Sequence, residues 1–179
     1  TSSSTVCFRT DGSSAACNGA NCAASNTAYN PSSKPTITVG ATWSVIGCLG
    51  GATANDSPVA TFAYGLQAST PTSDRSAGTF ASGTAVTLAS ANAVSICYRI
   101  GGTPACGASD GSTCGASTIK YNSGSKPTIT RTTEGTWQII GCANTGASPA
   151  NTNSAVSSFA YVSTDTAGTP TVDNGAGSY

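Results

Sequence analysis

Eight cysteines, seven carboxylates and two tryptophans are the residues of this chain that could do chemistry, and histidine is absent. A serine nucleophile needs a neighbouring base, most often histidine, so the usual hydrolase triads lose their proton acceptor. Zinc sites built on cysteine and histidine lose half their ligand types for the same reason. Carboxylate-pair chemistry needs two acids facing one cleft. Here Asp11, Asp56, Asp74, Asp110, Glu134, Asp165 and Asp173 are scattered over turns and linkers. Asp11-Gly12 and Asp110-Gly111 read as turn residues rather than calcium ligands, because no spaced run of further acids accompanies either. No glycine-rich phosphate loop sits between a strand and a helix. The residues therefore predict no catalytic group, no metal ligand and no cofactor, and a chain that is not an enzyme.

The cysteines carry a different message. Cys7, Cys17, Cys22 and Cys48 are echoed by Cys97, Cys106, Cys114 and Cys142 at matched positions. Matched sets in a histidine-free chain read as disulfides and an oxidising compartment. Composition agrees with a secreted, surface-exposed protein. Charged residues make up 8% of the 179, the formal net charge is zero, and Ser, Thr, Ala, Gly and Asn dominate. A neutral chain has no basic footprint for nucleic acid. Its apolar runs are too short for a membrane-spanning helix. The chain does not begin with Met, which reads as a mature or excised piece of something longer.

The elements that would position these residues come in duplicate. Ala41-Thr42-Trp43-Ser44-Val45-Ile46-Gly47-Cys48 recurs as Gly135-Thr136-Trp137-Gln138-Ile139-Ile140-Gly141-Cys142. Each copy follows a Lys-Pro-Thr-Ile-Thr segment, at 34–38 and 126–130, and precedes Phe-Ala-Tyr, at 62–64 and 159–161. Val6-Cys7-Phe8-Arg9 is matched by Ile96-Cys97-Tyr98-Arg99. Apolar–polar alternation predicts strands over these segments, over Pro35–Val39 and Val59–Leu66, and around Phe80, Val86 and Leu88. No stretch has helical periodicity of useful length. Frequent turns between short strands predict an all-β sandwich.

The order Gly-Thr-Phe, Val-Thr-Leu, Ile-Cys-Tyr-Arg, a Cys-bearing loop, Pro-Thr-Ile-Thr, Thr-Trp-Gln-Ile-Ile-Gly-Cys and Ser-Phe-Ala-Tyr resembles the chitobiase/β-hexosaminidase C-terminal-like module, also called the fibronectin-III-associated repeat. The resemblance covers essentially all of 78–162 and, less completely, 6–66. That family's usual Asp-Gly-Ser-Thr-Pro turn is kept in part, by Asp11-Gly12 and by Thr103-Pro104. The resemblance implies two tandem immunoglobulin-like β-sandwich modules with no catalytic residues of their own, of a kind found in secreted and surface proteins and beside glycosidase domains. The divisions expected are a first module at 1–67, incomplete at its N-terminal edge, a second at 68–164, and a tail at 165–179 resembling the start of a further module.

Under that sandwich the strands bearing Cys7 and Cys48 are sheet neighbours. Val6, Phe8, Trp43 and Val45 take the inner face, which leaves both cysteines on the outer one. The expected bridges are Cys7–Cys48 and Cys97–Cys142, with Cys17–Cys22 and Cys106–Cys114 clipping a loop each. Four cysteines allow three pairings per module, so sequence leaves the others open. Trp43 and Trp137 read as core residues, with sugar-stacking platforms as the rival. Asn55-Asp56-Ser57 is the one Asn-x-Ser/Thr match, which makes Asn55 a glycosylation candidate. Ser/Thr clusters in the linkers are candidate O-glycan sites.

The functional expectation is a structural one. The chain reads as a subunit or repeat segment of an extracellular surface filament or long adhesin, partnered by neighbouring copies of itself. The alternative is a carbohydrate-binding accessory module of a secreted glycosidase, with surface or matrix carbohydrate as partner. The second module has apolar strands around Phe80, Val86 and Leu88 before Ile96, whereas only Thr1-Ser2-Ser3-Ser4-Thr5 precedes Val6. The first module should therefore lack its N-terminal strands and leave Phe8, Ile37 and Trp43 partly uncovered. Thr169-Pro170-Thr171, followed by Val172, and Gly177-Ser178-Tyr179 match Thr70-Pro71-Thr72 and Gly78-Thr79-Phe80, as if a further copy begins there. That tail is the expected donor to the next subunit, head to tail, by strand addition.

Overall fold

The computed structural model describes residues 4–38, 40–50 and 55–164. The described chain is all-β, and no helix in it is long and apolar enough to cross a membrane. Its N-terminal part contains β1 (Ser4–Arg9), β2 (Cys17–Asn18), β3 (Asn21–Cys22), β4 (Thr27–Ala28), β5 (Ala41–Leu49) and β6 (Ala60–Tyr64). Four of these form one antiparallel sheet in the order β4-β1-β5-β6. The C-terminal part contains β7 (Thr72–Ser73), β8 (Gly78–Ala81), β9 (Thr84–Ala85), β10 (Leu88–Ala89) and β11 (Ser95–Ile100). It continues with β12 (Ile119–Lys120), β13 (Thr128–Ile129), β14 (Gly135–Cys142) and β15 (Ser157–Thr164). Its main sheet has the order β12-β11-β14-β15-β8. The first four strands repeat the N-terminal order, and β8 is added in parallel along β15.

Alternation along a strand sends neighbouring side chains to opposite faces, and the two sheets bury opposite faces. In β14 the face of Trp137 and Ile139 is fully buried. With Val86, Leu88, Tyr98, Ile129 and Tyr161 these residues form the larger core. In β5 it is Ser44, Ile46 and Cys48 that are buried, while Trp43 and Val45 are only partly covered. The smaller core there is Cys7, Ala15, Ile46 and Cys48, capped by the β2–β3 hairpin with Cys17 and Cys22. A glycine at φ +61°, Gly19, makes that hairpin's turn without a Cβ clash.

The strand expected over Pro35–Val39 does not form at 34–38, whereas its repeat partner does form as β13. The physical reason is the pairing partner. β13 is bonded to β9, with Thr128 opposite Ala85 and Ile129 opposite Thr84. Among the described residues no counterpart of β9 lies beside Thr36 and Ile37.

The two parts meet where 65–68 runs beside 150–152. Ala68 N–H donates to Thr152 O (2.9 Å), Thr152 N–H to Leu66 O (2.9 Å), and Leu66 N–H to Asn151 Oδ1 (2.7 Å). A Cβ at Gly65 would stand 1.8 Å from Ala150 O, so only glycine allows this approach.

Candidate functional site

The disulfides differ from the expected pairing. All eight cysteines are oxidised, but the bridges are Cys7–Cys22, Cys17–Cys48, Cys97–Cys114 and Cys106–Cys142. Cys7–Cys48, Cys17–Cys22, Cys97–Cys142 and Cys106–Cys114 are therefore corrected. Register explains it. Cys7 is opposite Ile46, and Cys48 is opposite Thr5, so the two cysteines share a face but are offset along the sheet. Their sulfurs approach to 3.4 Å without bonding. Cys17 and Cys22 are opposite each other on the hairpin above, and each takes one sheet cysteine. The C-terminal part repeats this arrangement, with Cys97 and Cys142 sulfurs 3.5 Å apart beneath Cys106 and Cys114. Cross-linking a loop to a strand removes more denatured-state freedom than clipping the hairpin to itself.

The carboxylates are occupied locally. Asp11 pairs with Arg9 and accepts Ser13 N–H (3.0 Å). The Arg9 contact, with Ser13, holds its carboxyl well below the usual range. Asp56 accepts Leu49 N–H (3.0 Å), Asp74 accepts Thr87 N–H (2.7 Å), Asp110 accepts Ser112 N–H (2.9 Å), and Glu134 accepts Ser163 N–H (3.0 Å). Each described acid thus holds a backbone donor in place. Asp165 and Asp173 lie outside the described residues. Cys17, Cys48 and Asp56 bring their ligand atoms within 4.8 Å of one another. Two of the three are joined as a disulfide and offer no thiolate, so this cluster is structural.

Ser57, which follows the Asn55 glycosylation candidate in a polar loop, has a structural role that its sequence context does not announce. Ser57 Oγ accepts Gly47 N–H (2.8 Å) and donates to Pro58 O (3.0 Å). Ser154 does the same for Gly141 N–H (2.8 Å) and Ala155 O (2.7 Å). Asn153 Oδ1 takes Ala143 N–H (2.8 Å), as Asp56 takes that of Leu49. The signal was present as Asp56-Ser57 against Asn153-Ser154, a polar pair at matched positions. Asn55 itself is exposed.

What stands out as a site is the uncovered face of the N-terminal sheet. β1, β5 and β6 contribute Val6, Phe8, Trp43, Val45, Phe62 and Tyr64 to an open groove of about 280 Å3, whose lining also includes Tyr29 and Pro35. Phe8 stacks on Trp43 with ring centroids 5.2 Å apart, and Tyr64 meets Trp43 edge-on at 5.8 Å. The C-terminal sheet has the same arrangement, Tyr98 on Trp137 at 5.2 Å and Tyr161 edge-on at 5.3 Å. There Phe80 adds a further edge-on contact to Tyr161 at 5.9 Å. The Tyr161 hydroxyl is also held, by Ser73 Oγ (2.8 Å) and Arg75 O (3.1 Å). The outcome differs sharply between repeats. Tyr161 and Ile129 are 0% exposed, whereas Tyr64 is 37% and Ile37 36% exposed. Trp137 is the core residue expected, and Trp43 is only partly buried, as are Phe8 and its surroundings.

Chemically this groove offers apolar surface, two tyrosine hydroxyls and the indole N–H of Trp43. Contiguous exposed apolar patches of this kind are characteristic of interaction surfaces and ligand-binding grooves. The tail residues Thr169, Pro170, Thr171, Val172, Gly177 and Tyr179 lie outside the described residues. No family model, curated protein or solved structure matches the chain.

Proposed function

We propose that this chain is an extracellular structural protein, a subunit or repeat segment of a surface filament or long adhesin that assembles head to tail by strand addition. On this reading 1–67 and 68–164 are tandem immunoglobulin-like sandwich modules, the first short of its N-terminal strands. The stretch 165–179 resembles the start of a further module. The observation that carries the reading is the groove over Phe8, Trp43 and Tyr64. Its counterpart in the same chain is closed by β-strands of the chain itself, so a strand is the natural cover. A contact between unlike surfaces does not close on itself and propagates into a fibre. Four disulfides and locally committed acids support a mechanical role rather than a catalytic one.

The test is assembly of the intact chain against a chain lacking 169–179, followed by sedimentation and electron microscopy. Filaments from the intact chain that shorten or vanish in the deletion are expected. An intact chain that stays monomeric at all concentrations contradicts the reading.

A second reading has one observation behind it. Tyr29, Phe62 and Tyr64 are 40%, 47% and 37% exposed around Trp43, as a sugar-stacking platform in a carbohydrate-binding module would be. Against it, a saccharide needs several polar partners, and the side chains of the groove lining offer two tyrosine hydroxyls and one indole N–H. Retention on an insoluble polysaccharide that is lost in Phe62→Ala, with the fold intact, would favour this second reading.

A further inference from the structure

The cover of the C-terminal core is a single stretch of chain, and it engages two separate edges. β8 lies parallel to β15, with Gly78 opposite Tyr161 and Phe80 opposite Ser163. The chain then turns at Gly83, whose φ of +87° suits glycine. From there β9 pairs with β13, flanked by Gly83 N–H to Ile129 O (2.8 Å) and Val86 N–H to Pro127 O (2.9 Å). Val86 and Leu88 follow into the core, 0% and 4% exposed. One stretch therefore supplies an edge strand, a turn, a second strand and two apolar anchors.

The N-terminal part leaves both corresponding edges open among the described residues. β6 is the outer strand of its sheet, and 34–38 has no ladder partner. Ile37, the counterpart of the fully buried Ile129, is 36% exposed. Thus the apolar groove and the two edges are one incomplete site.

We infer that this site receives one continuous peptide segment from another polypeptide, with the chemistry of residues 78–88. That chemistry is Gly-x-aromatic, a glycine turn, then Val-x-Leu. The segment pairs in parallel with β6, turns, and adds a strand to Thr36–Ile37. The aromatic meets Tyr64 edge-on, and the Val and Leu fill the space over Phe8 and Trp43. Main-chain bonds along both edges give the affinity, and alternate side chains in the groove give the selectivity. This rests on the strand-addition reading and adds the donor's pattern and its second edge. Gly177-Ser178-Tyr179 has the first part of that pattern. On this account it engages β6 alone, and firm seating needs the Val-x-Leu anchors as well.

The experiment adds a synthetic peptide of residues 70–89 to the intact chain below its assembly concentration. Amide hydrogen exchange is read by mass spectrometry. The expected result is slowed exchange at both 34–38 and 60–64. Peptides carrying Phe80→Ala, or Val86→Asp with Leu88→Asp, should bind about tenfold more weakly or worse, since each removes a buried apolar anchor. A peptide of residues 165–179 should slow exchange at 60–64 only. Protection of 60–64 alone by the 70–89 peptide overturns the two-edge inference, as does equal binding of the substituted peptides. As a second variant, residues 70–89 are fused ahead of residue 1 through a flexible Gly/Ser linker. The fusion should protect both edges within one chain, and failure to do so also overturns the inference. If the peptide protects both edges but the intact chain never assembles, the inference stands and the filament reading falls. If the chain forms filaments but the 70–89 peptide leaves 34–38 exchanging as fast as in the free monomer, the filament reading stands and the inference falls.

Discussion

Alanine at the two tryptophans should separate the closed core from the open one. Trp137 is fully buried between Tyr98 and Tyr161, and its indole N–H donates to Thr133 O at 2.6 Å. Truncating a buried aromatic of this size costs about 3–5 kcal/mol, and stranding the Thr133 carbonyl adds about 1 kcal/mol. That is a large share of the stability of a small domain, about 5–15 kcal/mol in total. Trp43 sits in the same register on β5, stacked on Phe8, but one side of its ring faces the groove. Less apolar surface returns to water when it is truncated, and the space left is continuous with solvent rather than a sealed cavity. The cost should be about 1–2 kcal/mol. The assay is urea unfolding of dilute, unassembled chain, followed by circular dichroism and by hydrogen exchange of each part. Costs at the two positions that agree within about 1 kcal/mol would refute the open groove. So would a Trp43→Ala chain whose N-terminal sheet no longer forms.

Non-reducing peptide maps should join Cys7 to Cys22 and Cys17 to Cys48, with Cys97–Cys114 and Cys106–Cys142 in the second set. Removing Cys17–Cys48 as a Ser pair should cost about 3–4 kcal/mol, from its sequence separation of 31 in the chain-entropy model. Ser154→Ala should destabilise by about 1–3 kcal/mol because Gly141 N–H loses its acceptor in a buried setting, and Ser57→Ala, which is solvent-exposed, by less. Stability should be flat from about pH 5 to 9, since the chain has no histidine. The carboxyls of Asp11 and Asp110 are held low by hydrogen bonds, from Arg9 and Ser112 respectively. That of Asp74 is raised by burial but pulled down further by Thr87. Stability contributed by these groups is present above about pH 4, the unfolded value, and is lost as pH falls below it. Burial pushes the Tyr98 and Tyr161 hydroxyls up, so their contribution is lost as pH rises past about 10. A thermal midpoint that moves substantially between pH 6 and 8 would contradict this.

Much of the fold was legible because the chain repeats itself. The Trp43 and Trp137 strands and the missing cover over Phe8 and Ile37 follow from aligning the repeats, whereas the pairing of β1 with β5 and of β11 with β14 was expected from the sandwich that the resemblance implies. The cysteine pairing was not legible. Face assignment put Cys7 and Cys48 on one face, but expected that face to be the outer one, whereas both are fully buried beneath the β2–β3 hairpin and Val6, Phe8, Trp43 and Val45 line the open groove. A bridge also depends on the offset along the strands and on the height of the hairpin above. Neither is a pattern of apolar positions. The Pro35–Val39 strand failed for a related reason. Its composition suits a strand, but a strand needs an edge to pair with, and β9 exists beside Ile129 and not beside Ile37. The serine clamps escaped notice because Ser in a polar loop looks like any other turn residue. Only its repetition as Ser57 and Ser154 marks it.

The central claim is tested most directly by amide hydrogen exchange along β6 and β15 of the intact chain, dilute and then concentrated. β15 has a partner on each side, β14 and β8, and should exchange slowly in both conditions. Among the described residues β6 has β5 on one side only, so the outward amides of 60–64 should exchange fast when dilute and slow as the chain assembles. Amides of 60–64 that are as protected in dilute chain as those of 157–161, or that stay fast in the assembled material, would contradict the account.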